Sequence, residues 1–205
     1  MAEVIVRRGR ITDDLRKIAA CLYLTDPFIY PAAFGTDADR AACAMAKLMT
    51  VENGLLHPEH IALALQGEEI CGILLYNKDG AVWNVRECGE KILGSVPDPE
   101  RFRIVSEAYF VQEAEAPPEN HVEVVACCVM PGFRKMGIGE RLIRWLREEY
   151  RDCKLTLTVL ADNQAAIRLY GKCGFSVTEQ LKGFSLEESS RPDCCRMECP
   201  SAEGR

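Results

Sequence analysis

Histidine is scarce, at three in 205 residues, and tryptophan occurs twice. Other features are missing altogether. No apolar run is long enough to cross a membrane, which excludes a helical spanning protein. The opening stretch MAEVIVRRGRITDD has no apolar signal core, so a cytoplasmic chain is expected. No basic stripe stands out, and the formal net charge of -6 argues against nucleic acid as the main partner. No Gly/Ser-rich or charged linker divides the chain, and it shows neither repeats nor low-complexity tracts. One domain spanning 1–205 is therefore expected.

Metal-ligand spacing is missing too. His57 and His60 flank Pro58-Glu59, which is not the spacing of a helical zinc site, and Cys194, Cys195 and Cys199 lack a second ligand pair. No metal is expected. The eleven cysteines are too few for a secreted disulfide scaffold of this length. Cys127 and Cys128 stand next to each other in an apolar run, so they point to opposite faces of a strand as reduced packing residues.

What is present is a hydrophobic fraction of 48 %, enough for a sizeable core, in an alternating α/β order. Strands are predicted over 3–8, 59–66, 70–76, 121–130, 155–160, 175–180 and about 194–199. The pair 59–66 and 70–76 turns at Gly67-Glu68-Glu69. Helices are predicted after Thr12-Asp13-Asp14 (with Leu15, Ile18 and Leu22 inward), over 37–49, over 139–150, and over 163–173 with a stop at Gly174. The stretch 25–35, with two prolines, a glycine and several aromatics, reads as a loop. Residues 79–120 form an enlarged connection, in which Pro97-Asp98-Pro99 opens a helix running through Tyr109. The expected architecture is a mixed sheet flanked by helices.

One segment carries chemistry: Val129-Met130-Pro131-Gly132-Phe133-Arg134-Lys135-Met136-Gly137-Ile138-Gly139-Glu140. A strand ends, a Gly-rich turn follows, and a helix opens. Amides of such a loop and of the first helical turn lack internal partners and carry the positive end of the helix dipole. Phosphate binds there. Gly137 and Gly139 let backbone approach the anion, while Arg134 and Lys135 add positive charge. The nucleotide-triphosphate loop is disfavoured because no Gly stands four residues before a Gly-Lys-Ser/Thr. The dinucleotide fingerprint, and with it an oxidoreductase, is disfavoured by Leu142 where a small residue belongs.

Arg134-Lys135-Met136-Gly137-Ile138-Gly139 resembles the acetyl-CoA signature of the GNAT superfamily, Gln/Arg-x-x-Gly-x-Gly/Ala. Asn163, Ala166, Tyr170 and Gly174-Phe175 match its second motif, Asn-x-x-Ala-x-x-x-Tyr-x-x-x-Gly-Phe. The resemblance implies a mostly antiparallel sheet with one splayed parallel strand pair, 121–129 and 155–160. It implies acetyl-CoA as co-substrate, its pyrophosphate on the amides of Arg134, Lys135, Met136, Gly137, Ile138 and Gly139, and its pantetheine on the backbone near Cys127 and Val129. Asn163 either contacts this cofactor or caps its helix. Tyr170 matches the position that serves the departing thiolate; its pattern also fits a core tyrosine.

The implied reaction is acetyl transfer to an amine, on a small molecule or a protein. Glu123 and His121 share a strand face beside the channel, and each is a candidate base. Counted from Arg134, Glu123 resembles the glutamate of the superfamily's histone acetyltransferases. His121 falls where ribosomal-protein alanine acetyltransferases carry theirs. Phe28, Tyr30 and Phe34 either line the acceptor pocket or pack beneath their segment. The alternative function is a non-catalytic CoA-binding regulatory module on the same fold.

Overall fold

A computed structural model describes residues 3–52, 54–78, 94–107, 120–186 and 189–202. Seven strands form one sheet: β1 (Val4–Arg8), β2 (Ile61–Gln66), β3 (Glu69–Asn77), β4 (His121–Val129), β5 (Lys154–Leu160), β6 (Ser176–Leu181) and β9 (Cys194–Cys199), in the order β1-β2-β3-β4-β5-β9-β6. A separate hairpin pairs β7 (Phe184–Leu186) with β8 (Ser189–Arg191) in the connection between β6 and β9. The only parallel pair among the described strands is β4–β5; every other neighbour runs antiparallel. The mixed sheet expected from the sequence, mostly antiparallel as the resemblance implies, is therefore the one observed.

Helices cover both faces. One face holds α1 (Leu15–Tyr23), α2 (Ile29–Phe34), α3 (Ala38–Leu48) and α4 (Pro99–Val105). Ile18, Leu22, Phe34, Met45 and Phe102 pack there against Leu63, Ile73 and Leu75 of the sheet. The other face holds α5 (Ile138–Glu149) and α6 (Gln164–Lys172), with Leu142, Ile143 and Leu146 set against Leu74, Val122, Val124 and Leu155. The central strands β2 and β3 are buried almost throughout, as strands covered on both sides must be. The hairpin between them turns at Gly67, whose φ of 64° suits glycine.

Three helix starts follow from side-chain caps. Asp14 accepts from Lys17 N–H at 3.0 Å, Asp37 from Arg40 N–H at 3.1 Å, and Asp98 from Arg101 N–H at 2.9 Å. The predicted loop at 25–35 is corrected: it contains α2. Asp26 Oδ1 accepts from Phe28 N–H at 2.7 Å and Ile29 N–H at 2.8 Å, which gives the turn its start. Pro31 falls within the first turn, where a missing N–H costs nothing, and Gly35 closes the helix at φ 85°.

Part of the enlarged segment is described. Its α4 sits on α2, with the Phe34 and Phe102 rings 5.3 Å apart. The predicted helix start at Pro99 is observed, and the described helix ends at Val105. Tyr109 and residues 79–93 lie outside the described residues.

Candidate active site

The parallel pair opens into a wedge. Its register runs from His121↔Lys154 to Val124↔Leu157 and then stops, although β4 continues to Val129 and β5 to Leu160. The cause lies on the other edge of β4. A bulge shifts the β3–β4 register between Leu75↔Ala126 and Tyr76↔Val124, leaving Val125 as the extra residue. A bulge bends its strand and adds twist, which peels β4 from β5.

Beyond the bulge the backbone alternation is fixed. Met130 N–H donates to Cys71 C=O at 2.8 Å, so residues 128 and 130 turn their amides toward β3. The main-chain groups of Cys127 and Val129 therefore point into the wedge. Val129 C=O accepts from Arg134 Nε at 3.2 Å. The side chains divide as well. Cys127 and Val129 pack on the α5–α6 side, whereas Ala126 and Cys128 belong to the other core. The opposite-facing arrangement expected for Cys127 and Cys128 is what the structure shows.

At one mouth of the wedge stands the Gly-rich turn. A 3-10 turn over Pro131–Phe133 leads to Arg134 in extended conformation, and Lys135 and Gly137 both take left-handed backbone, with φ 63° and 74°. No side chain caps α5, and its first bond runs from Arg141 N–H to Gly137 C=O at 3.1 Å. The amides of residues 138–140 are the open first turn. A Cβ built on Gly137 meets nothing within 4 Å, so space remains above it. Glu140, which would repel an anion, is drawn down the helix by Arg144 at 2.6 Å. These features suit a pyrophosphate. Gly139 has a packing role as well: a Cβ there would stand 2.8 Å from Leu169 Cδ2, so this glycine lets α5 and α6 approach.

Tyr170 projects from α6 toward the same wedge. It is only 8 % exposed and packs on Phe175 with 5.8 Å between ring centroids. Among the described residues no group bonds to its hydroxyl. Burial raises its pKa above the ordinary phenol value, and the Cys127 and Cys173 thiols add to the shift. The hydroxyl stays protonated throughout the neutral range. Burial likewise pushes the Cys127 thiol up to about 12, so this sulfur is no nucleophile. Gly174, at φ 93°, ends α6 where predicted, and Phe175 N–H bonds back to Tyr170 C=O at 3.0 Å.

Asn163 is the N-cap of α6, accepting from Ala166 N–H at 3.1 Å. Asn163→Ala is expected to cost about 1 kcal/mol of stability. If capping is its whole role, calorimetry will find the affinity for acetyl-CoA unchanged.

Glu123 and His121 lie on the wedge's foot, facing away from Val122 and Val124 and hence toward the α1–α4 side. The polar neighbours of Glu123 were not singled out from sequence. Asn77, Glu123, Thr156, Glu198 and Ser176 are successive register partners across β3, β4, β5, β9 and β6. Only the register of strands far apart in the chain brings them together. Tyr30 and Phe34 are 6 % and 1 % exposed, and Phe28 is half-buried at the start of α2. Phe34 is thus a core ring. Among the described residues no three His, Cys, Asp or Glu side chains converge to hold a metal, and none of the ten described cysteines is in a disulfide. No described helix is long and apolar enough to cross a membrane.

A sequence profile described as "Acetyltransferase (GNAT) family" matches residues 29–175. The chain belongs to that family. The family uses acetyl-CoA as co-substrate, and the open turn at 135–140 and the wedge fit that molecule. The chain is 29 % identical over 91 residues to the L-amino acid N-acetyltransferase AaaT of Escherichia coli, covering 40 % of this chain and 54 % of that protein. It is 35 % identical over 81 residues to N-alpha-acetyltransferase 20 of Dictyostelium discoideum, covering 37 % and 47 %. It therefore spans about half the length of the curated relatives it matches. An N-acetyltransferase structure from Staphylococcus aureus Mu50 superposes with a TM-score of 0.66 at 16 % identity, over 95 % of this GNAT chain and 99 % of the other, and shares the fold.

Proposed function

We propose that this GNAT protein transfers the acetyl group of acetyl-CoA to an amine by direct attack on the thioester. The observation that carries the reading is the wedge itself. It offers the main-chain groups of Cys127 and the N–H of Val129, an uncapped helix start at one mouth, and the Tyr170 hydroxyl on its α6 side.

The pyrophosphate lies on the amides of residues 134–139, and the pantetheine adds to the open edge of β4. The thioester then reaches the foot of the wedge. A neutral amine attacks the carbonyl carbon, the C–S bond breaks, and CoA leaves as thiolate. The amine's proton passes to a base on β4, Glu123 or His121. Tyr170 donates a hydrogen bond to the departing sulfur. Phe28 and Tyr30 of the α2 segment border the acceptor side, and β8 lies against the same helix.

The acceptor is an α-amine, of an amino acid or of a polypeptide N-terminus. Both curated relatives are named for such substrates. The chemistry agrees: an α-amine has a pKa of about 7.7–8.0, against about 10.4 for a lysine-type amine, which is neutral in only about one molecule in a thousand at pH 7. A site with one half-exposed carboxylate manages the former more readily.

An acceptor panel read by mass spectrometry tests the function. Mass gain of 42 Da (about one acetyl group) on an α-amine supports it. Binding of acetyl-CoA with no transfer to any acceptor leaves a regulatory CoA-binding module instead. Within the panel, Glu123→Gln is expected to lower kcat/KM about tenfold or more for a lysine-type amine and by less for an α-amine. Equal small losses for both would make Glu123 structural.

A further inference from the structure

The core under α1–α4 takes in residues of β2, β3 and β4 but none of β5, β9 or β6. The strip of sheet beyond β4 is polar on that side. Leu155, Leu157 and Val159 of β5, with Cys195, Met197 and Cys199 of β9, point into the opposite core. Alternation therefore turns Lys154, Thr156 and Thr158, together with Arg196 and Glu198, to the α1–α4 side. The two threonines are half-buried and Arg196 is exposed. One end of this polar shelf is walled. The β7–β8 hairpin leaves β6 and returns to β9, and β8 lies against α2. Asp193 pins the base of the hairpin, accepting from Gly183 N–H at 2.9 Å.

The cations of the shelf differ in their partners. Lys154 pairs with Glu198, and Lys182 with Asp193 at 3.2 Å. Arg196 faces Glu179 of β6 in the register but forms no ion pair with it. Among the described residues its guanidinium has neither a hydrogen bond nor an ion pair. Its place along the sheet is fixed. Arg196 stands across from Thr158, the first residue of β5 past Val124↔Leu157, where β4 parts from β5. It is two strands from β4, or about 10 Å.

Resting on the acetyl-transfer reading, we infer that this shelf is the acceptor site and that Arg196 takes the carboxylate of a free α-amino acid. The nitrogen and the carboxyl carbon of such an acceptor are two bonds apart. With the nitrogen at the wedge, the carboxylate faces β9 across β5, and an arginine extended along the shelf meets it. The planar guanidinium donates to both carboxylate oxygens at once. Thr156 and Thr158 line the way between. A polypeptide N-terminus has an amide in place of the carboxylate and offers the guanidinium only a neutral carbonyl, so the free acid is the acceptor the shelf selects.

Each common L-amino acid, assayed beside its own carboxamide, tests the assignment. In Arg196→Gln, kcat/KM for the best amino acid is expected to fall about tenfold or more, through KM, because hydrogen bonds between charged groups are lost. The matching carboxamide loses little. KM for acetyl-CoA and the melting temperature hold, since the side chain is exposed and bonds to no described residue. Arg196→Lys keeps the charge and is expected to recover part of the loss. A fall shared equally by acid and amide makes Arg196 structural and overturns the inference. So does a parent protein that acetylates carboxamides or dipeptide amides with the same kcat/KM as the free acids. A parent that transfers acetyl to no amine overturns the proposed function alone. The inference is then read by calorimetry of the same amino acids on the CoA-loaded protein. Binding that Arg196→Gln weakens about tenfold sustains it, and a parent that binds none of them ends it.

Discussion

Gly137→Asp is expected to weaken acetyl-CoA binding by about a hundredfold or more while leaving the melting temperature near that of the parent. Three effects meet at this residue. The first is charge. A carboxylate at the mouth of α5 would sit about 4–5 Å from the pyrophosphate, where two unit charges repel by about 3–4 kcal/mol at the effective dielectric of a protein surface. At about 1.4 kcal/mol per tenfold, that is at least a hundredfold in Kd. The second is backbone. Gly137 has φ 74°, and a left-handed residue with a Cβ costs about 1 kcal/mol, less for Asp than for most. The third offsets the second: an acid at a helix N-terminus gains about 0.3–1 kcal/mol from the dipole. No atom lies within 4 Å of the added Cβ, so there is no clash to unfold the turn. Stability is thus nearly balanced while affinity collapses. Gly137→Asn separates the terms. It tolerates the same backbone without the charge and is expected to lose only about tenfold, since just the steric part remains. Isothermal calorimetry with CoA, beside thermal melts, reads both quantities. An Asp variant that binds as tightly as the parent removes the pyrophosphate from this turn.

The turn was legible in the sequence because its constraints are local. Gly137 must take left-handed backbone, and Asn163 must cap α6; each shows within a few residues of chain. The strands β2, β3 and β4 were legible for a similar reason, since burial writes itself into their apolar runs. The α2 helix was not. Pro27, Pro31 and Gly35 look like breakers until Asp26 is seen to supply the start and Pro31 to fall within the first turn. Gly139 was read as a point of anion approach, and its packing on Leu169 depends on how α5 meets α6. The bulge at Val125 and the rung from Asn77 to Ser176 are set by pairing between strands tens of residues apart, and no local pattern encodes such a register. Glu198 was invisible on that account. Its segment was recognised as a strand, but its place beside β5 was not.

Tyr170→Phe is expected to lower kcat by about tenfold or more and to change little else. The residue is only 8 % exposed and its ring packs on Phe175, and Phe keeps that packing. The hydroxyl bonds to no described residue, so its removal breaks no hydrogen bond among them. A structural hydroxyl would behave differently, since losing a net bond costs about 1 kcal/mol and shows in the melt. Affinity for CoA should also hold, because the neutral phenol gains most when charge develops on sulfur, not in the ground state. The size of the effect follows from proton energetics. A thiol has a pKa of about 8.5 and a free phenol about 10, so full proton transfer to the thiolate is already uphill by about 2 kcal/mol. Burial raises the phenol further and steepens that step. Tyr170 therefore stabilises the thiolate as a hydrogen-bond donor without surrendering its proton, which places its contribution at the lower end of the range of about 10²–10⁴ or just beneath it. The same shift has a second consequence. The hydroxyl keeps its proton well above neutrality, so the alkaline limb of the rate profile belongs to another group and must survive in the Phe variant. Single-turnover measurements with preloaded acetyl-CoA, across pH 6–10 (about the span from His to Tyr titration), check both points. Unchanged turnover with chemistry rate-limiting, or a melt lowered together with the rate, would leave Tyr170 as a core residue.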